Sequence, residues 1–189
     1  MNGEYYKTKE SVDEYIKLAE EYDGRALIDK LRDFLPANSY LLEIGSGPGT
    51  DWKILNDFFN VVGSDYSAEF LKRLNAGAPK GDFLDLDAVT LTTRKKFDGI
   101  YSNKVLHHLT DIELVASIKR QCAILNPGGV ICHSFWRGEG TESYKGLFVN
   151  YHSNEGIESL FADYFAVVFL ENYKEFDDND SILIIGRKK

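Results

Sequence analysis

Tyr40-Leu41-Leu42-Glu43-Ile44-Gly45-Ser46-Gly47-Pro48-Gly49-Thr50 begins as an apolar strand and breaks at once into glycines. A buried strand, a glycine-rich turn and then a helix, read here over 51–59, make the opening of a parallel β-α-β crossover. Without a Cβ, glycine lets the turn bend sharply and lets a ligand come close to the backbone. The next strand, 61–65, ends in Asp65, which stands 20 residues after Gly45. In doubly wound sheets an acid at that position accepts hydrogen bonds from ribose hydroxyls, and ligands gather at the carboxyl ends of the strands.

The same alternation continues downstream. A helix over 68–75, strands over 83–86 and 97–102, and a helix capped by Thr110-x-x-Glu113 follow in turn. The inner face of that helix reads as Ile112, Val115, Ile118, Cys122 and Leu125. A strand over 130–135 and a helix over 154–161 come next. Two apolar runs, 165–170 and 181–185, close the chain as a hairpin around the acidic turn 177–180, read as solvated. Upstream, Ser11-x-x-Glu14 reads as a capping box, and a second helix ends before Pro36. The expectation is an α/β fold: a Rossmann-like doubly wound sheet, mostly parallel, with an antiparallel C-terminal edge strand. It forms one domain over 1–189, with a helical cap over 1–38 and a core over 39–189.

Composition narrows the function. Lys and Arg number 22 against 30 Asp and Glu, a net charge of −8, which lacks the basic footprint of a nucleic-acid binder. The longest apolar run falls far short of the roughly 20 residues that span a bilayer. Cys122 and Cys132 form no C-x-x-C pair and no disulfide framework, which fits a cytoplasmic protein. A small molecule is the expected partner; oligomeric state is unknown from sequence.

The glycine stretch also decides between nucleoside cofactors. Thr50 stands where the dinucleotide fingerprint G-x-G-x-x-G needs its third glycine. The spacing is G-x-G-x-G behind the acid Glu43, and this resembles the first motif of class I S-adenosylmethionine-dependent methyltransferases. The likeness continues in order through Val62-Gly63-Ser64-Asp65-Tyr66-Ser67, Phe83-Leu84-Asp85-Leu86-Asp87-Ala88, Phe97-Asp98-Gly99-Ile100-Tyr101-Ser102-Asn103 and Leu125-Asn126-Pro127-Gly128-Gly129. The resemblance implies S-adenosyl-L-methionine as cofactor and methyl transfer to an oxygen or nitrogen of a small-molecule acceptor. It implies a cofactor-binding set of Glu43, Gly45, Ser46, Gly47, Gly49, Asp65, Tyr66, Asp87, Ala88 and Asn103. Within this set the backbone from Gly45 to Gly47 faces the amino-acid portion, Asp65 the ribose, Asp87 with the Ala88 backbone the adenine, and the Asn103 main chain the methionine end. Asp82 and Asp85 stand near the same strand; Asp87 is preferred for adenine and Asp82 is the alternative.

Displacement at a sulfonium needs alignment, exclusion of water and sometimes removal of a proton, but no metal, and none is expected. His107 and His108 follow the fourth strand and are weighed as a base against loop histidines that fix the next helix, with His107 preferred for the base. Arg137 and Glu139 are weighed as contacts to a charged acceptor against an exposed loop. Tyr5, Tyr6, Tyr15 and Tyr22 are weighed as a lid over the cofactor, and Tyr15 and Tyr22 also as core. Neither an Asn-Pro-Pro-Tyr motif nor a Pro-Cys dipeptide is present, which argues against nucleic-acid bases as acceptors. The rival readings are an NAD(P)-dependent dehydrogenase and a catalytically silent S-adenosylmethionine-binding regulatory module.

Overall fold

A computed structural model describes residues 8–19, 22–144 and 146–189. Two helices, α1 (Lys9–Ala19) and α2 (Arg25–Leu31), precede the sheet. Then β1 (Tyr40–Ile44), α3 (Thr50–Leu55), β2 (Asn60–Asp65), α4 (Ala68–Gly77), β3 (Asp82–Asp85) and β4 (Phe97–Asn103) alternate. A short 3-10 turn (Leu106–His108) leads to α5 (Asp111–Ile124) and β5 (Leu125–Trp136). The hairpin β6 (Thr141–Tyr144) and β7 (Leu147–Asn150) comes next, followed by α6 (Asn154–Phe161), β8 (Phe165–Tyr173) and β9 (Ser181–Lys188).

Seven strands form one sheet in the order β3-β2-β1-β4-β5-β9-β8. The pairs from β3 to β5 are parallel, while β9 runs antiparallel to both β5 and β8. The expected C-terminal hairpin is present, and its second strand lies one place in from the edge, leaving β8 outermost. Both faces of the sheet are covered, so central strands are apolar on both sides rather than alternating. Leu41 packs with Ile28, Leu31 and Leu55 on one face; Leu42 and Ile44 pack with Leu114, Ile118 and Phe161 on the other. No described helix is long and apolar enough to cross a membrane.

Three local readings are corrected. The α1 helix begins before Ser11, whose N–H donates to Thr8 Oγ1 at 3.2 Å, so Thr8 and not Ser11 caps it. The capping box at Thr110 and Glu113 is formed, but the inner face of α5 is Leu114, Ser117, Ile118, Gln121 and Ile124. Ile112, expected inside, is 85% exposed. Two polar residues on the buried face shifted the apolar reading. The segment 136–154, expected as loop, contains the β6–β7 hairpin. Tyr5 and Tyr6 lie outside the described residues.

Candidate active site

The turn from β1 into α3 takes a backbone path that only glycine follows easily: φ is +73° at Gly45, +49° at Gly47 and +82° at Gly49. A Cβ on Gly45 would strike Val105 Cγ2 at 2.5 Å, and one on Gly49 would strike Leu74 Cδ2 at 2.7 Å. At Gly47 the nearest atom is Tyr15 Cε1 at 3.9 Å, so a Cβ there would project into open space. The turn is tied to β2. Ser46 N–H donates to the Ser64 carbonyl at 2.8 Å, and Gly47 N–H to Asp65 Oδ2 at 2.9 Å. Beneath it the Ser46 hydroxyl donates to Glu43 Oε2 at 2.5 Å. Glu43 is 3% exposed, and burial, with Asp51 and Asp65 nearby, pushes its carboxyl up to about 8.

Gly45, Gly47, Asp65, Tyr66 and Ala88 line one cleft. Burial raises the Asp65 carboxyl, while the N–H groups of Ser67 and Gly47 oppose that shift. Tyr15 from α1 and Phe70 from α4, in edge contact at 5.9 Å between ring centres, close this end. Gly49 lies outside the cleft and serves as the N-cap of α3. The Asp87 side chain turns to the backbone, where Oδ1 accepts from Val89 N–H at 2.8 Å and Thr90 N–H at 3.0 Å. Asp82, the alternative, begins β3, at the other end of that strand from Ala88, and pairs with Lys95 at 2.5 Å. It lines a different hollow from Ala88.

Glu43, Ser46 and Asn103 line a second hollow on the other side of the glycine turn, together with Asp51, Lys104 and Glu175. Asp51 organises it by accepting from Gly24 N–H at 2.6 Å, the Tyr101 hydroxyl at 2.8 Å and Asn103 Nδ2 at 3.1 Å. A Cβ on Gly24 would collide with Tyr101 and Asp51, so the glycine between α1 and α2 is what docks these helices here. Lys104 has φ +53° and drives its ammonium between the strand ends. Nζ donates to Ser181 Oγ at 2.6 Å and to the Phe135 carbonyl at 3.1 Å, and it lies 3.3 Å from the centre of the Trp136 ring. Burial lowers it to about 7, against the pull of Glu175 and Asp180. In the acidic turn after β8, Asp177, Asp178 and Asn179 are exposed, as expected of a solvated turn, while Asp180 is half-buried and bonded to its backbone. Against the burial that raises it, the N–H groups of Asp177, Glu175 and Phe176 hold Asp180 at about 2, and the turn brings Glu175 into the hollow.

His107 does not take the place expected of a base. It is 3% exposed, its Nδ1 has no hydrogen-bond partner among the described residues, and it does not line the cleft. Burial first, then His108, Lys104 and His152, hold it well below the usual histidine range. His108 lines the cleft instead, beside Val105 and opposite Leu147 and Phe148 of the β6–β7 hairpin. Its Nδ1 lies 2.7 Å from the Phe148 carbonyl. That oxygen only accepts, so Nδ1 carries the hydrogen and Nε2 the lone pair. Arg137 and Glu139 are exposed and outside the cleft; Arg137 reaches the Asn179 carbonyl at 3.4 Å.

Sequence reasoning missed Asp51, Lys104 and Glu175 as site residues. An acid in the first turn of the helix after the glycine loop was a readable signal for Asp51. Nothing local marks Glu175, which arrives through the β8–β9 turn.

Residues 41–129 match a sequence family described as a methyltransferase domain. The trans-aconitate 2-methyltransferase of Azoarcus sp. is 29% identical over 136 residues, covering 70% of this chain and 53% of that one. This chain therefore spans about half the length of that curated relative. Among solved structures, the 1,6-didemethyltoxoflavin-N1-methyltransferase of Burkholderia thailandensis, with S-adenosylhomocysteine bound, superposes with a TM-score of 0.79 at 17% identity, over 95% of this chain and 84% of that one. The N-methyltransferase NodS of Bradyrhizobium japonicum, also with S-adenosylhomocysteine, gives 0.73 at 17% identity over 99% and 96%.

Proposed function

We propose that this chain is a class I S-adenosylmethionine-dependent methyltransferase that transfers a methyl group to an oxygen or nitrogen atom of a small molecule. The observation that carries this reading is the cleft itself. An open glycine cradle at Gly47 and an acid at the end of β2 share it with an apolar wall that ends at a histidine. The residues suit the cofactor chemically: carboxylates accept from ribose hydroxyls and an amino group, and an acidic surround favours a sulfonium. When bound, S-adenosylmethionine supplies a methyl carbon whose bonding electron pair leaves with sulfur. In our reading Gly45 and Gly47 present backbone to the amino-acid portion, Asp65 takes the ribose, and Asp87 with Ala88 takes the adenine. Tyr15, Leu147 and Phe148 exclude water, and Val105 bounds the acceptor. His108, rather than His107, receives the acceptor's proton at Nε2 as the acceptor lone pair bonds to carbon. The names of the relatives, an acid methyltransferase and N-methyltransferases, support a small oxygen or nitrogen acceptor. A cytoplasmic setting rests on the two cysteines, Cys122 and Cys132, both free.

The test is a thermal melt with S-adenosylhomocysteine or NAD, then incubation with methyl-labelled S-adenosylmethionine and a panel of small acids, phenols and amines. At 100 times its Kd, the homocysteine form should add about 2.7 kcal/mol, a melting shift of roughly 5–11 °C. A shift with NAD alone would restore the dehydrogenase reading. Binding without transfer to any acceptor would favour the silent module. With an acceptor in hand, His108→Gln should lower kcat by about 10²–10⁴-fold and leave S-adenosylhomocysteine affinity unchanged.

A further inference from the structure

A line of polar side chains runs through the interior to the adenosine end of the cleft. Ser102 on β4, His133 on β5, and Gln121 and Ser117 on α5 are all fully buried. Ser102 Oγ lies 2.8 Å from His133 Nδ1, and His133 Nε2 lies 2.8 Å from Gln121 Oε1. Gln121 Nε2 lies 3.1 Å from Ser117 Oγ, which lies 2.6 Å from the Ala88 carbonyl.

One carbonyl fixes every proton in this line. Because the Ala88 oxygen only accepts, the Ser117 hydroxyl donates to it. The Ser117 oxygen then takes an amide hydrogen of Gln121, which turns the amide oxygen towards His133. His133 must donate from Nε2, leaving Nδ1 to accept from Ser102. Burial lowers His133 to about 3, so the ring stays neutral and the direction holds near neutral pH.

What the line grips is a single peptide group. The bond between Ala88 and Val89 has its carbonyl held by Ser117 from inside and its N–H held by Asp87 Oδ1 at 2.8 Å. The same peptide therefore couples the interior to the Asp87 carboxylate and to Ala88, which lines the cleft.

We infer that Ser117 is a positioning residue for the adenosine half of the cofactor, acting through the Ala88–Val89 peptide, with Gln121, His133 and Ser102 keeping its hydroxyl aimed. This rests on the reading of the cleft as the S-adenosylmethionine site. Removing the hydroxyl strips a buried carbonyl and a buried amide of their partners, and the peptide is free to turn.

Isothermal titration with S-adenosylhomocysteine and with adenosine tests it on the intact chain. Ser117→Ala should weaken both ligands by about tenfold, while Ser117→Thr, which keeps the hydroxyl, stays within about threefold of the parent. Ile118→Val, equally buried on the same helix, should lower the melting temperature yet leave both affinities alone. A parent chain that binds no S-adenosylhomocysteine overturns the cofactor reading itself. A parent that binds, with Ser117→Ala unchanged, overturns this inference alone. So does a loss in Ile118→Val or Ser117→Thr equal to that in Ser117→Ala.

Discussion

Glu43 shows how a single residue couples the site to pH. An ordinary glutamate releases its proton near 4.5, whereas in the fold burial delays release to about 8. Between those values the folded state holds the extra proton, so stability from this group is complete below about 4.5 and lost as pH rises through about 8. Urea midpoints of the parent should therefore fall from about pH 5 to pH 8, and Glu43→Gln, neutral throughout, should flatten that fall. Equal slopes would mean that the carboxyl ionises freely under the turn. Gly47→Ala makes a second test. At φ +49° an alanine costs about 1–2 kcal/mol, and its methyl would enter the cradle. The chain should fold while S-adenosylhomocysteine affinity, read by titration, drops at least about tenfold. At this scale the glycines and Asp65 were legible because their spacing is a local motif. His107 and His108 were not separable, because neighbours on a 3-10 turn diverge, and only the fold shows which one reaches the cleft.

Among the elements, α1 covers one end of the cleft through Tyr15. It meets α4 through Asp13, which bonds Arg73 at 2.8 Å while Arg73 also pairs with Glu69 of its own helix, and through Tyr15 against Phe70. The ion pairs are partly exposed and contribute little, so the aromatic contact dominates the docking. Tyr15→Ala should speed dissociation of S-adenosylhomocysteine in stopped flow by on the order of tenfold, with a smaller effect for Asp13→Asn. An unchanged rate for Tyr15→Ala would mean that the ligand leaves by another opening. Helices and central strands were readable from period and caps. The β6–β7 hairpin was not, because two strands of four residues each are too short for a clear alternation. That hairpin supplies Leu147 and Phe148, so this part of the cleft lining was hidden with it.

For the whole molecule, the doubly wound, mostly parallel character of the sheet followed from alternating helices and strands. The place of β9 did not, because a hairpin can add to a sheet by either of its strands. With Ile182, Ile184 and Ile185 fully buried between β5 and β8, β9 joins the two parts of the sheet. Ile184→Ala should cost about 2–5 kcal/mol and lower the urea midpoint in one cooperative step with an unchanged slope. Two separate transitions would show that β8 and β9 unfold apart from the rest.

The position of β9 also matters while the chain is being made. Synthesis runs from β5 through β8 before β9 exists, so two strand edges that pair in the finished sheet face water together for that interval. Neither can mate with the other correctly, because the strand that belongs between them is still to come. The nascent chain is thus most open to wrong partners between the making of β8 and that of β9, and a chaperone that shields bare strand edges would matter most there.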